Sequence, residues 1–324
     1  MTTTPFSEPA SALRSALQQK DVRIQHERRV TALVWSPLSA WPFGRRYIAS
    51  ADEGGMVLVS DSEQGTAHAH LVHPAAVQAL AWSPDTTTLA AACSDGRVQV
   101  WHTQSWSRGM TYREHTFRGQ PSPVNGASYS RDGRYLASGG DDQTVRIWDA
   151  FTGETMLRYY RGHGCPITAV AWSPDGTAVA SADERGCVQV WDAVTGQTRL
   201  SYQGHEARVA ALAWSSSGYS LVSASWDGTV QVWVAHTGET RLSYRGLPWP
   251  AESPCRKWLG VAFAPGVARI ASAGERQPVQ IWEERTGRLI ATCGDGAASV
   301  RALAWSPDGR YLAASDGERE VRIW

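Results

Sequence analysis

Short runs of apolar and small residues alternate along the chain with polar breaks rich in Gly, Asp, Ser and Pro. Within a run the period is two. Val209–Trp214, for example, alternates larger apolar residues with alanine, the pattern of a half-buried strand. The breaks are turn sequences with a mechanism. Ser-Pro-Asp-Gly at 173–176 and at 306–309 combines a proline that fixes φ with a glycine that tolerates positive φ. No run is long enough for a membrane-spanning helix.

The runs themselves repeat. A strand ending in Trp-Ser or its equivalent begins at Val30, Val77, Val124, Ile167, Val209, Trp258 and Val300, at intervals of 42 to 49 residues. Each copy reads as four short strands. In the fifth these are Val209–Trp214, Ser220–Ala224, Thr229–Trp233 and Thr240–Tyr244. One four-stranded antiparallel sheet cannot bury both faces alone, so the copies must stack, and radial stacking gives a ring. The expected fold is all-β, a seven-bladed propeller. The seventh copy stops at Trp324 without a fourth strand. Residues 23–30 resemble 202–209, which join a fourth strand to the next blade. Asp21–Gln25 is therefore expected to pair with Val321–Trp324 and close the ring, removing open edges. The division is a flexible segment over 1–20, with residues 1–10 disordered and a short helix over 11–19, followed by the propeller over 21–324.

These copies resemble WD-repeat propellers. Gly-His precedes the first strand at Gly162-His163 and Gly204-His205, and Trp-Asp closes the third at Trp148-Asp149 and Trp191-Asp192. The resemblance implies a buried hydrogen-bonded set of His, Ser, Asp and Trp in each blade, since buried polar groups must be paired. The full set is expected only in the fifth copy, as His205, Ser223, Asp227 and Trp233. Elsewhere a member is replaced: Gly54 stands for the Asp in the first copy, Gln120 for the His in the third, and Arg185 for the Asp in the fourth.

Basic and acidic residues balance at 31 each, so no global field favours nucleic acid or an anionic membrane. Lysine occurs only at 20 and 257, with arginine supplying the remaining positive charge. That usage points to a high-GC, bacterial source. Five cysteines without a CxxC pair suggest a reducing compartment, and the start of the chain lacks a signal-peptide pattern. A cytoplasmic protein, monomeric on its own, is expected.

Catalytic motifs are absent: there is no HExxH, P-loop or GxSxG. The recurrent His and Asp positions read as architecture rather than as triads. His163, Cys165 and Cys187 belong to one blade but do not show settled zinc spacing, and no metal or cofactor is expected. Cys255 and Cys293 are placed in equivalent loops of neighbouring blades on the same reasoning. The chain reads as a non-enzymatic scaffold.

In a propeller, function belongs to loops held by a rigid ring. The WD-repeat resemblance implies that peptides or protein segments dock at the channel mouth, on the face shared by the fourth-to-first and second-to-third strand loops. The expected partner-binding residues there are Trp226, Arg208, Lys257, Arg29, Arg301, Asp141, Glu184 and Glu275. Trp and Arg are the types enriched in binding hot spots, and a charged peptide with an apolar anchor suits this ring better than a polyanion. Secondary candidates are Trp249 in the loop over 246–257, Trp106, Tyr112 and Phe117 in the insertion over 102–120, and Trp41 and Phe43 on the opposite face. An alternative role is a sensor or targeting module of a bacterial signalling or defence complex that works with a separate enzyme.

Overall fold

The computed structural model describes residues 20–37, 46–159, 162–246, 257–294, 296, 299–316 and 319–324. Seven four-stranded antiparallel sheets form the ring. Blade five is typical, with strands Val209–Trp214, Ser220–Ser225, Val230–Val234 and Thr240–Tyr244, innermost to outermost. The seventh sheet pairs Leu303–Trp305, Leu312–Ser315 and Glu320–Ile323 with Lys20–Gln25. The closing pairs are Lys20↔Ile323, Arg23↔Arg322, Ile24↔Val321 and Gln25↔Glu320. Closure by the N-terminal strand is as the sequence predicts, with that strand starting one residue earlier, at Lys20, and its partner running over Glu320–Ile323 instead of Val321–Trp324.

Burial follows strand position. Second strands such as Ser220–Ser225 are buried at every residue, because neighbouring blades cover both their faces. Fourth strands such as Thr198–Tyr202 are largely exposed and end on a buried tyrosine. Each apolar core lies between two blades rather than inside one. Val222, Ala224, Val230 and Val232 of blade five pack with Trp258, Ile270 and Trp282 of blade six. At the closure, Val22 and Ile24 share a core with Leu33, Ile48, Val321 and Ile323.

A seam of stacked rings reinforces this packing. The last residue of a fourth strand lies flat on the buried Trp of the next blade. Tyr112 stacks on Trp148 at 4.5 Å, Tyr159 on Trp191 at 4.8 Å, Tyr202 on Trp233 at 4.3 Å and Tyr244 on Trp282 at 5.0 Å. Offset aromatic pairs of this kind add about 1 kcal/mol beyond area burial. The tyrosine hydroxyls are also paired: Tyr159 donates to Gln189 Oε1 at 2.8 Å, and Tyr244 to Gln280 Oε1 at 2.6 Å.

The first strand of each of blades one to six carries a β-bulge after its first residue. In blade five Val209 pairs with Ser225 while Ala211 pairs with Ala224, leaving Ala210 unmatched. The same shift follows Val30, Val77, Val124, Ile167 and Trp258. A bulge re-aims one side chain out of the sheet alternation. Repeated around the ring, it turns one residue per blade toward the channel.

Candidate functional site: the channel mouth

The bulged residues Thr31, Gln78, Asn125, Thr168, Ala210 and Leu259, with Arg301 in blade seven, line one cavity of about 1020 Å³. Several also bond across blades. Thr31 Oγ1 donates to Val77 O, Asn125 Nδ2 to Ile167 O at 2.8 Å, and Thr168 Oγ1 to Val209 O. The mouth is thus fixed by bonds between adjacent first strands.

Around this rim stand Arg29, Arg208, Trp226, Lys257, Glu275 and Arg301. Six of the eight expected partner-binding residues therefore meet at one opening. Asp141 and Glu184 are not among its lining residues. Asp141 accepts a hydrogen bond of 2.7 Å from Asn125, and Glu184 forms an ion pair with Arg208. These two hold rim residues in place.

Trp226 is 37% exposed. The ammonium of Lys257 lies 4.2 Å from the centre of its ring system and the Arg208 guanidinium 5.2 Å away. The indole therefore serves the chain's own cations, whose positive charge its π-face attracts. Sequence reading missed Arg276 and Asp316, which also line the mouth. Arg276 has φ +46°, a left-handed conformation that most side chains avoid, and it stands where the family turn carries Asp. The five cations Arg29, Arg208, Lys257, Arg276 and Arg301 outnumber the carboxylates Glu275 and Asp316. Arg29 faces Glu53 at 3.6 Å, and Asp316 pairs with Arg322 at 3.3 Å. Among the described residues, no carboxylate lies within ion-pair distance of Lys257, Arg276 or Arg301.

Below the rim lie the buried polar sets. In blade five His205 Nδ1 lies 2.8 Å from Asp227 Oδ2, His205 Nε2 lies 2.7 Å from Ser223, and Trp233 Nε1 donates to Ser223 at 3.3 Å. The expectation that only this blade carries the full set is corrected. Blade four has it too: His163 bonds Asp183 and Ser181, each at 2.8 Å, and Trp191 donates to Ser181 at 3.3 Å. Asp183 stands two residues before Arg185, at the end of the second strand. Blade one joins His26 to Asp52 and Ser50 in the same way, with Gly54 N donating to Asp52 Oδ1 at 2.8 Å and Ser60 standing where the other blades have Trp. The shared Ala-Asp-Glu at 51–53 and 182–184 was the available signal.

In blade three His115, rather than Gln120, meets Asp142 at 3.1 Å and Ser138 at 2.7 Å. A two-stranded hairpin, Thr116–Phe117 with Gln120–Pro121, is inserted after the histidine, and Ser122 N returns to His115 O at 3.0 Å. The insertion displaced the histidine in sequence but not in space. In blade two, where Ala91 offers no hydroxyl, Trp101 Nε1 donates directly to His73 Nε2 at 3.0 Å.

Burial pushes the imidazoles of His26, His73 and His115 below the ordinary value, against the opposing pull of their bonded partners. Burial alone would raise Asp227. Hydrogen bonds from His205 and Thr229 outweigh it and hold the carboxyl down at about 2. In blade three, where both His115 and Asp142 are lowered, the set is thus a neutral imidazole beside a carboxylate.

His163, Asp183 and Cys187 offer donor atoms within 4.8 Å of one another. Both imidazole nitrogens are already committed to Asp183 and Ser181, so the cluster is blade stitching. Burial raises the Cys187 and Cys165 thiols, and burial pushes Cys293 up to about 11. Cys293 ends a fourth strand rather than sitting in a loop, and Cys255 lies outside the described residues. Of the secondary candidates, Tyr112 is buried in the seam, Trp106 packs against the core of blades one and two, and Phe117 is exposed on the inserted hairpin. Trp41, Phe43 and Trp249 lie outside the described residues, as do residues 1–19. Among the described residues no helix is long and apolar enough to cross a membrane.

A ring of stacked four-stranded blades with a charged mouth defines a repeat-built propeller of the platform type. The WD domain, G-beta repeat model matches residues 64–102, 112–149, 154–192, 196–234 and 287–324, and the chain belongs to this family. It is 32% identical over 106 residues to the COMPASS component SWD3 of Saccharomyces cerevisiae, a stretch covering 32% of each chain. It is 29% identical over 132 residues to DDB1- and CUL4-associated factor 13 of Xenopus laevis, covering 40% of this chain and 28% of the relative. Over 83 residues it is 32% identical to the F-box-like/WD repeat-containing protein TBL1X of Mus musculus, covering 26% of this chain and 15% of the relative. The matched stretches thus span about a third or less of these relatives.

Proposed function

We propose that the chain is a non-catalytic interaction scaffold that holds an acidic segment of a partner protein at the channel mouth. The observation that carries this reading is the cluster of Lys257, Arg276 and Arg301, without carboxylate partners among the described residues, beside Trp226 on one rigid opening. An incoming carboxylate would meet these cations at a partly desolvated rim, where charged hydrogen bonds are worth about twice neutral ones. The indole edge offers an apolar neighbour for the residue next to it. Relatives named as components or associated factors of complexes support protein partners. The alternative of a module serving a separate enzyme in a signalling or defence complex differs only in who the partner is.

Affinity capture from extract of the source cells, quantified by mass spectrometry, tests the reading. The double variant Lys257→Glu, Arg301→Glu should lose at least about tenfold of its specific partners, a change of about 1.4 kcal/mol. Trp226→Ala should lose the same proteins. Recovery equal to wild type would overturn it, and an enzyme among the proteins lost would favour the alternative.

A further inference from the structure

The face opposite the mouth carries a second surface of different character. There the turn joining third to fourth strands rests on the preceding blade's outer strand. A β-carbon on Gly196 would meet Leu157 at 3.2 Å, and one on Gly238 would meet Leu200 at 3.2 Å. The residue two before that glycine projects from the turn. It is Glu63, His236 and Arg285 in blades one, five and six, but Phe151 and Val194 in blades three and four. Val194 is 85% exposed and Met156, on the outer strand beside it, 53%. Between blades three and four lies a groove of about 520 Å³ walled by Met156, Leu157, Trp172 and Val194. Asp132 and Asp175 stand at its edge, on the first-to-second strand turns of the two blades. The groove's one cation, Arg131, donates to Pro174 O at 3.3 Å. A bond from Ser130 holds Asp132 below the usual carboxylate range. At Asp175 burial acts upward, but bonds from Ser173 and Thr177 prevail and lower it.

We infer that this groove docks an extended segment of a partner protein that places an aliphatic side chain between Met156 and Val194 and a neighbouring arginine or lysine against Asp132 and Asp175. The wall accounts for the aliphatic residue: exposed apolar surface clustered in one place marks interaction sites, and removing it from water is worth about 25 cal/mol per Å². Charge complementarity fixes the partner's sign: within the groove two carboxylates stand beside one guanidinium that is already engaged, and the outlying cations Arg134 and Arg199, whose charges also reach Asp132 and Asp175, are held in ion pairs by Asp149 and Asp192. The surface is independent of the mouth and would let one ring hold two chains at once, an acidic segment on one face and a basic one on the other.

A random dodecapeptide phage library selected on immobilised protein, with counter-selection on Val194→Glu, tests this. The expected consensus pairs an aliphatic residue with Arg or Lys one to three positions away. A synthetic peptide of that consensus should bind saturably and lose binding on Val194→Glu. It should weaken about threefold for each of Asp132→Asn and Asp175→Asn, and bind Trp226→Ala as it binds wild type. No enrichment over the counter-selected variant, or a consensus lacking basic residues, overturns the inference. A concentration-dependent dimer in sedimentation that Val194→Glu abolishes would assign the groove to a second copy of this chain and overturn it too. Val194 is exposed in its turn, so the variant leaves the fold intact, which thermal unfolding verifies. The mouth reading stands or falls separately.

Discussion

At the scale of single residues, the buried His–Asp–Ser sets give the sharpest contrasts. Asp183 is buried against His163 while Arg185 is exposed, although the family pattern places the acid at 185. Asp183→Ala should therefore lower unfolding free energy by about 1–3 kcal/mol, the cost of an orphaned buried polar group. Arg185→Ala should stay within about 0.5 kcal/mol of wild type. The same contrast separates His115→Ala from Gln120→Ala, and denaturant titration reads both. Titration follows from the same groups. The imidazoles of His26, His73 and His115 lie below the unfolded value of 6.5. Under acid the unfolded chain takes up protons that the folded chain refuses, so their contribution is complete above pH 6.5 and lost as pH falls through the folded values. Asp227 then adds its own loss between the unfolded 3.8 and about 2. The thermal midpoint should decline from about pH 6.5 downward, with no gain in stability on acidification; a flat profile between pH 7 and 5 would contradict this.

At the scale of elements, the closing strand is the decisive one. Ile24 is 3% exposed and packs with Val321 and Ile323. Ile24→Ala should cost about 2–5 kcal/mol, and deletion of residues 1–26 should lower the midpoint and expose the edge of Glu320–Ile323, promoting association. An unchanged midpoint in either variant would be inconsistent with strand closure. Strand order and closure were legible because period-two runs and Gly-containing turns recur in phase, and the repeat of 202–209 at 23–30 marks the seam. The polar sets of blades three and four were not. Counting along the chain put the histidine at Gln120 because the Thr116–Pro121 hairpin shifts sequence position without shifting space. It put the acid at Arg185 because a carboxylate can reach the same imidazole from either of two positions in the turn. The bulged mouth residues were legible as a periodic position. The grip of Lys257 and Arg208 on Trp226 was not, since it depends on side chains converging from three loops of two blades.

At the scale of the whole molecule, stability sits between blades, so it is shared by neighbours around the circle. The Tyr–Trp seam runs through the interfaces from blade two to blade six, while Leu71 and Cys293 occupy the tyrosine position before blades two and seven. Both Tyr202→Phe and Tyr202→Leu lose the hydroxyl's bonds to Gln231 and Thr240, so the further loss of stacking should leave Tyr202→Leu less stable than Tyr202→Phe by about 1 kcal/mol, read by unfolding of the two variants. Blade six has Gly274 and Arg276 at the two acid positions, and there Trp282 donates to Ser272 at 3.2 Å.

The pairing of Lys20 with Ile323 has a consequence for how the ring comes to exist. Residues 20 and 323 are neighbours in one ladder, so the circle has no intrinsic beginning. A short linker from Trp324 to Lys20 would leave every blade intact, and new ends could open at an exposed turn such as Thr195–Gln197. In the natural order, the first strand made is the last to find its partner, because the rest of the ring must be in place before the two meet. Such distant pairing slows folding. A permutant that begins at a blade boundary should fold faster than the natural order at similar stability, as stopped-flow refolding would record.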